Sequence, residues 1–160
     1  MNLVLRPIGV IKTQFDTSEG VPIQSSKSEA MGEAVVYEEF SPGLESLDSF
    51  THAILIYWFH RSAGPRLLLT PYLDSRERGV FSTRAPSRPN PIGLSVIEIA
   101  EVKRDRVLFR GADMLNNTPL LDIKPFVPEF DNRLEASSGW LDKLLRDSNQ
   151  SFAADDRYQA

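Results

Sequence analysis

The stretch GVFSTRAPSRPNPIGLSV, Gly79 to Val96, brings two arginines, an asparagine and three prolines into one connection between apolar runs. Arg84 and Arg88 offer planar forks that match a carboxylate or a phosphate. Asn90 carries both a donor and an acceptor, which suits the edge of a nucleobase. Pro86, Pro89 and Pro91 each fix a backbone angle, so the loop is largely shaped before a ligand arrives. They also remove backbone donors, leaving recognition to carbonyls and side chains. Gly93 would let a ligand come close to the main chain. A structural reading stands beside the functional one: a stiff connection whose arginines pair with nearby Asp or Glu.

A second candidate is NNTPLLDIKPFVPEFD. Asp122 and Lys124 alternate with Leu121 and Ile123, so they share one face of a strand that Pro125 ends. Asp122 could accept from a ligand amine or hydroxyl, or act as a base. The plainer reading is an Asp122–Lys124 pair on a solvated face. His52 and His60 bracket the apolar run THAILIYWFH and read as polar residues at strand ends. Tyr57 and Trp58 lie on opposite faces of that run, and at least one should enter the core. Trp140 heads a helical stripe that reads as packing.

The remaining composition narrows the chemistry. The 160 residues contain no cysteine and two histidines. That excludes disulfides, a cysteine nucleophile and thiolate metal sites, and no metal site is expected. The net charge is −4, against a broad polyanion-binding surface. Locally the balance reverses: Arg61, Arg66, Arg76, Arg78, Arg84 and Arg88 face only Asp74 and Glu77 between His60 and Arg88. This points to a local anion site and still allows a short RNA contact. No apolar run is long enough for a bilayer, and MNLVLRPIGVIKTQF is too polar for a secretory signal, so a cytoplasmic protein is expected. There is no G-x-G-x-x-G and no Walker loop. Asn90-Pro91 is followed by Ile92 and Gly93, not by the Pro and aromatic of the amino-group methyltransferase motif.

These residues need a scaffold, and the pattern predicts a strand-rich one. Strands are expected over Leu3–Ile11, with Pro7 at an edge or bulge, over EAVVYEEF, over Ala53–Phe59 and over GVFST. Leu94–Val102 and Arg106–Arg110 form a hairpin, and PLLDIKPF a further strand. Ala53–Phe59 is apolar on both faces and should be central. Leu44, Leu47 and Phe50 suggest a helical turn, and GWLDKLLRD a short helix. The tail SNQSFAADDRYQA reads as polar and mobile. With no strand–helix alternation, a mainly antiparallel barrel or sandwich fits better than a doubly wound sheet.

GVFSTRAPSRPNPIGLS resembles the signature of the TrmO-like (TsaA-like, YaeB-like) family. RPIGVI, LDSFTHAILIYWFH and NNTPLLDIKPFVPEFD also resemble family segments, in family order, and together they cover most of residues 1–131. The resemblance implies a mainly β fold, a single-sheeted antiparallel β-barrel with short helices and not a Rossmann domain. On this view 1–135 is the barrel and cofactor-binding domain, and 136–160 a short C-terminal helix and polar tail. It implies a homodimer with the cofactor near the interface. It also implies an S-adenosylmethionine-dependent enzyme that methylates N6 of threonylcarbamoyladenosine beside the anticodon of tRNA. Carried over by position, Phe81, Ser82, Thr83, Arg84, Arg88, Pro89, Asn90, Pro91, Ile92, Gly93 and Leu94 form the cofactor loop. Leu121, Asp122, Ile123, Lys124 and Pro125 join the same pocket, and Tyr57 and His60 line the pocket or the dimer contact. Asp122 and His60 are the expected bases. Two other readings stay open: a methyltransferase for a small molecule or another RNA, and a non-catalytic S-adenosylmethionine-binding module.

Overall fold

The computed structural model describes residues 3–146 and 151–158. Its strands are β1 (Gly9–Lys12), β2 (Met31–Val36), β3 (His52–Trp58), β4 (Leu68–Leu69), β5 (Arg78–Gly79), β6 (Ile92–Val102), β7 (Arg106–Arg110) and β8 (Thr118–Pro125). Six of them close into one antiparallel barrel in the order β1-β2-β7-β6-β3-β8, and β4 pairs with β5 outside it. The expected barrel class is therefore the one observed.

A barrel this small has room inside only for side chains. Period-two alternation supplies them: Ala53, Leu55 and Tyr57 of β3, Ile97 of β6, Val107 and Phe109 of β7 and Leu120 of β8 are buried. Phe109 lies over Gly32, its partner on the neighbouring strand β2, where an added Cβ would lie 2.5 Å from the ring. β3 pairs with β6 on one side and β8 on the other; in the closed barrel every strand has two neighbours, so none is central. Its outer residues Ile54, Ile56 and Trp58 stand opposite Val96, Leu94 and Ile92 of β6. Trp58, Ile92 and Leu94 are exposed, so an apolar stripe runs down the outside of the barrel.

Several elements depart from the sequence pattern. The first strand begins at Gly9, and Leu3, Val4 and Leu5 lie exposed. Pro7 has no amide to donate, and main-chain pairing starts only beyond it, at Ile8 with Leu120 and Tyr37. EAVVYEEF leaves the strand after Val36 for a 3-10 turn, Glu38–Leu44. GVFST is a strand only at Gly79; Val80–Ser82 is a 3-10 turn. Ser82 Oγ donates to the Gly79 carbonyl at 2.8 Å and Thr83 Oγ1 to the Val80 carbonyl at 2.9 Å. Such bonds favour a turn over a ladder.

The described C-terminal residues are tied down. Helix α1 is Pro128–Asp131 and α2 is Leu141–Leu145. Before α2, the Trp140 indole donates to the Ser82 carbonyl at 2.9 Å and Arg78 lies 4.8 Å over its ring. Of the tail 148–160, read from sequence as polar and mobile, residues 151–158 pair with the loop after β1, Ala154 N–H donating to Val21 at 2.7 Å and Ile23 N–H to Phe152 at 2.9 Å, and the rest lies outside the described residues. Tyr158 is buried against Leu69, Val80 and Ala85, and its hydroxyl donates to the Thr70 carbonyl.

Candidate cofactor and active site

The end of β3 and the start of β6 open onto a cavity of about 370 Å³. That is within the usual range for small-molecule sites. Tyr57, Phe59 and His60 enter it from β3 and the turn beyond, Gly93 and Leu94 from β6, and Thr83, Arg84 and Arg88 from the proline-rich loop. Ile23, Gln24, Asp113, Met114 and Leu115 also line it, and Ala154 and Tyr158 add the C-terminal segment.

The loop's stiffness has visible supports. Phe59 N–H donates to the Pro91 carbonyl at 2.7 Å, and Arg66 N–H to the Ser87 carbonyl at 3.0 Å. Arg88 braces the loop from within, its Nη1 donating to the Thr83 and Ala85 carbonyls at 3.1 and 3.2 Å. Arg84 Nη1 donates to Gln24 Oε1 at 2.8 Å across the mouth. Among the described residues neither arginine is ion-paired to a carboxylate. The alternative of arginines spent on neighbouring Asp or Glu thus finds no support in the described residues.

The expected site residues do not all converge. His60, Thr83, Arg84, Arg88, Ile92, Gly93 and Leu94 share the cavity. Phe81 and Ser82, with Thr83 and Arg84, line a neighbouring cavity of about 980 Å³ beside Trp140 and Leu141. Pro89, Asn90 and Pro91 form the neck between loop and β6 and border neither cavity. Leu121, Asp122, Ile123, Lys124 and Pro125 on β8 also border neither. Asp122 pairs with Lys124 at 2.7 Å and stands opposite Ile56 on the apolar stripe. Gly93 lines the cavity and also packs closely on the barrel interior: a Cβ there would lie 2.2 Å from the Tyr57 ring.

Behind that ring runs a polar chain that sequence reasoning missed. The Tyr57 hydroxyl is 3.0 Å from Ser95 Oγ, and Ser95 donates to Asp113 Oδ1 at 2.6 Å. Ser95 has one proton, so Tyr57 donates to Ser95. Burial pushes the Asp113 carboxyl up from 3.8 to about 6, against the lowering effects of the Ser95 bond, backbone N–H groups and Arg84. Burial likewise raises the Tyr57 phenol, with the Asp113 charge adding to it. His60 moves the other way, lowered by burial and then by Arg61, and is neutral at pH 7. One signal for the chain lay in β6: Ser95 falls between Gly93 and Ile97 on the core face, where a polar side chain needs a partner.

Residues 10–132 match the model of the tRNA-methyltransferase O N-terminal domain. The chain belongs to this family. A Pyrococcus abyssi protein called a probable S-adenosyl-L-methionine-binding protein is 46% identical over 160 residues, spanning 96% of this chain and 87% of the relative. The human tRNA (adenine(37)-N6)-methyltransferase is 31% identical over 139 residues, spanning 82% of this chain and 32% of that enzyme. The crystal structure of TrmO from Pseudomonas aeruginosa superposes with a TM-score of 0.74 at 33% identity, covering 88% of this chain and 63% of that one. The chain therefore spans less than two thirds of the solved TrmO chain, and the residues that match the family model take in the barrel strands from Val10 onward and the arginine loop. Among the described residues no helix is long and apolar enough to cross a membrane.

Proposed function

We propose that this protein is an S-adenosylmethionine-dependent methyltransferase acting on tRNA, and that its acceptor is N6 of threonylcarbamoyladenosine beside the anticodon. The observation that carries this reading is one cavity holding an arginine-rich, pre-shaped loop, two aromatic rings and a desolvated carboxylate, on the barrel that the chain shares with the TrmO family. Those residues fit a ligand with a carboxylate, a cation and an adenine. Arg84 or Arg88 would hold a carboxylate, of the cofactor's methionine end or of the substrate's threonine. Tyr57 and Phe59, edge to face at 5.4 Å, give flat apolar walls. The names of the archaeal relatives support the cofactor, and that of the human relative supports the tRNA acceptor.

The cofactor supplies an activated methyl group for in-line displacement. The chain's task is then to align donor and acceptor and to remove a proton. The acceptor nitrogen is conjugated to a carbonyl and is a weak nucleophile. Of the two expected bases, His60 lies on the cavity and is neutral, able to accept that proton. Asp122 on its own barrel points away from it, and it could serve only where another surface meets the stripe. The stripe of Trp58, Ile92 and Leu94 suits a second copy of the chain, which would make a homodimer with cavities near the contact. A cytoplasmic location agrees with a tRNA substrate.

The test is genetic. Deleting the gene should remove the methylated form of threonylcarbamoyladenosine from bulk tRNA, and restoring the gene should return it. An unchanged nucleoside profile would remove tRNA as the acceptor and leave the small-molecule or binding-module reading.

A further inference from the structure

Among the described residues, the cavity wall carries a single carboxylate, Asp113, facing His60, Arg61, Arg84 and Arg88. The groups packed around it are Tyr57 from β3, Ser95 from β6, the Ser25 backbone from the loop before β2, and Arg84 from the arginine loop. None of these is an ion-pair partner: no described lysine or arginine lies within 4 Å of its oxygens. Arg84 is turned to Gln24, Arg61 to the Asp16 carbonyl and Arg88 to its own loop. A desolvated carboxylate held in place by a serine but lacking a cation is a costly arrangement. It becomes favourable when a ligand brings the cation.

We propose that Asp113 is the counter-ion for the sulfonium of S-adenosylmethionine, and that disappearance of that charge on methyl transfer loosens the product. The proposal rests on reading this cavity as the cofactor site. The cavity that holds Asp113 favours a sulfonium over an ammonium. Tyr57, Phe59, Met114 and Leu115 give it aromatic and apolar lining, which accommodates a cation without N–H groups. An ammonium would need three acceptors, and among the described lining residues Asp113 is the one carboxylate. During transfer the N–CH3 bond forms and the S–CH3 bond breaks. The bonding pair returns to sulfur, which becomes a neutral thioether, and the acceptor's proton goes to the base. Asp113 then has no cationic partner, so product binding lacks the attraction that favoured the substrate.

Calorimetry on the full chain with S-adenosylmethionine and S-adenosylhomocysteine tests this. At about pH 8 the wild type should prefer the sulfonium by about tenfold or more. Below about pH 5 the preference should collapse, because Asp113 must lose a proton before it can pair. Asp113→Asn should abolish the preference at about pH 8 by weakening the sulfonium ligand alone, with circular dichroism confirming the fold; Asp113→Glu should restore part of it. Equal weakening of both ligands would place Asp113 against the ammonium they share and overturn the proposal, as would no weakening of either. If the wild type binds neither ligand at any pH, the cofactor reading itself fails and the proposal falls with it.

Discussion

Replacing Asp113 by Asn should make the unliganded protein more stable. Burial raises this carboxyl from 3.8 to about 6 on folding. Keeping it ionised in the folded state therefore costs up to about 3 kcal/mol at about pH 8. Because the folded pKa is raised, the native state holds its advantage below about pH 4 and loses it as pH rises through about 6. Asn keeps an oxygen to accept from Ser95 and never ionises, so it escapes that loss. Water entering the open cavity lowers the figure, and a gain of about 1–3 kcal/mol is expected, or roughly 2–10 °C in Tm for a chain of this size. Thermal melts of both proteins without ligand, at about pH 4 and about pH 8, read it directly. The account predicts a higher Tm for Asp113→Asn at the upper pH and near equality at the lower. Equal Tm at both, or a loss at both, would refute the reasoning that Asp113 is a partly buried charge with no cationic partner.

Arg88→Ala removes donors to the Thr83 and Ala85 carbonyls, so S-adenosylmethionine affinity should fall with a modest loss of stability, about 1 kcal/mol by denaturant titration. Gly93→Ala forces a Cβ into the Tyr57 ring; it should cost about 1–3 kcal/mol and disturb the Tyr57–Ser95 bond, seen as a changed tyrosine near-ultraviolet signal. Tyr158→Ala empties a buried position shared with Leu69 and Val80, with an expected loss of about 3 kcal/mol in chemical denaturation and weaker cofactor binding. Trp58→Glu places a charge on the outer apolar stripe; under the proposed dimer, light scattering should give a dimeric mass for the wild type and a monomeric one for the variant, and equal masses would remove the stripe as the contact.

The barrel was legible where one rule dominated. The run from Ala53 to Phe59 is apolar on both faces, and it became β3, whose inner residues Ala53, Leu55 and Tyr57 fill the barrel while its outer residues form the apolar stripe. The hairpin was legible because Lys103 to Asp105 separates two apolar segments, and β6 and β7 end and begin on either side of that turn. Elements decided by local side-chain bonds were not. Val80–Ser82 has strand-forming residues, but Ser82 and Thr83 cap carbonyls three positions back and curl it. At the site, the arginine loop announced itself through residue type. Asp113 did not, because a lone Asp after a strand acquires meaning only when Ser95 of another strand meets it. Residues 151–158 look polar, yet they pair with the loop after β1, a contact that no local pattern encodes.

The most direct measurement is transfer of labelled methyl from S-adenosylmethionine to purified tRNA, followed by nucleoside mass spectrometry. Two tRNA pools should be used, one carrying threonylcarbamoyladenosine and one from cells unable to make it. The account predicts label in threonylcarbamoyladenosine of the first pool and none in the second. Label in a different nucleoside, or none in either pool while the cofactor binds, would contradict it.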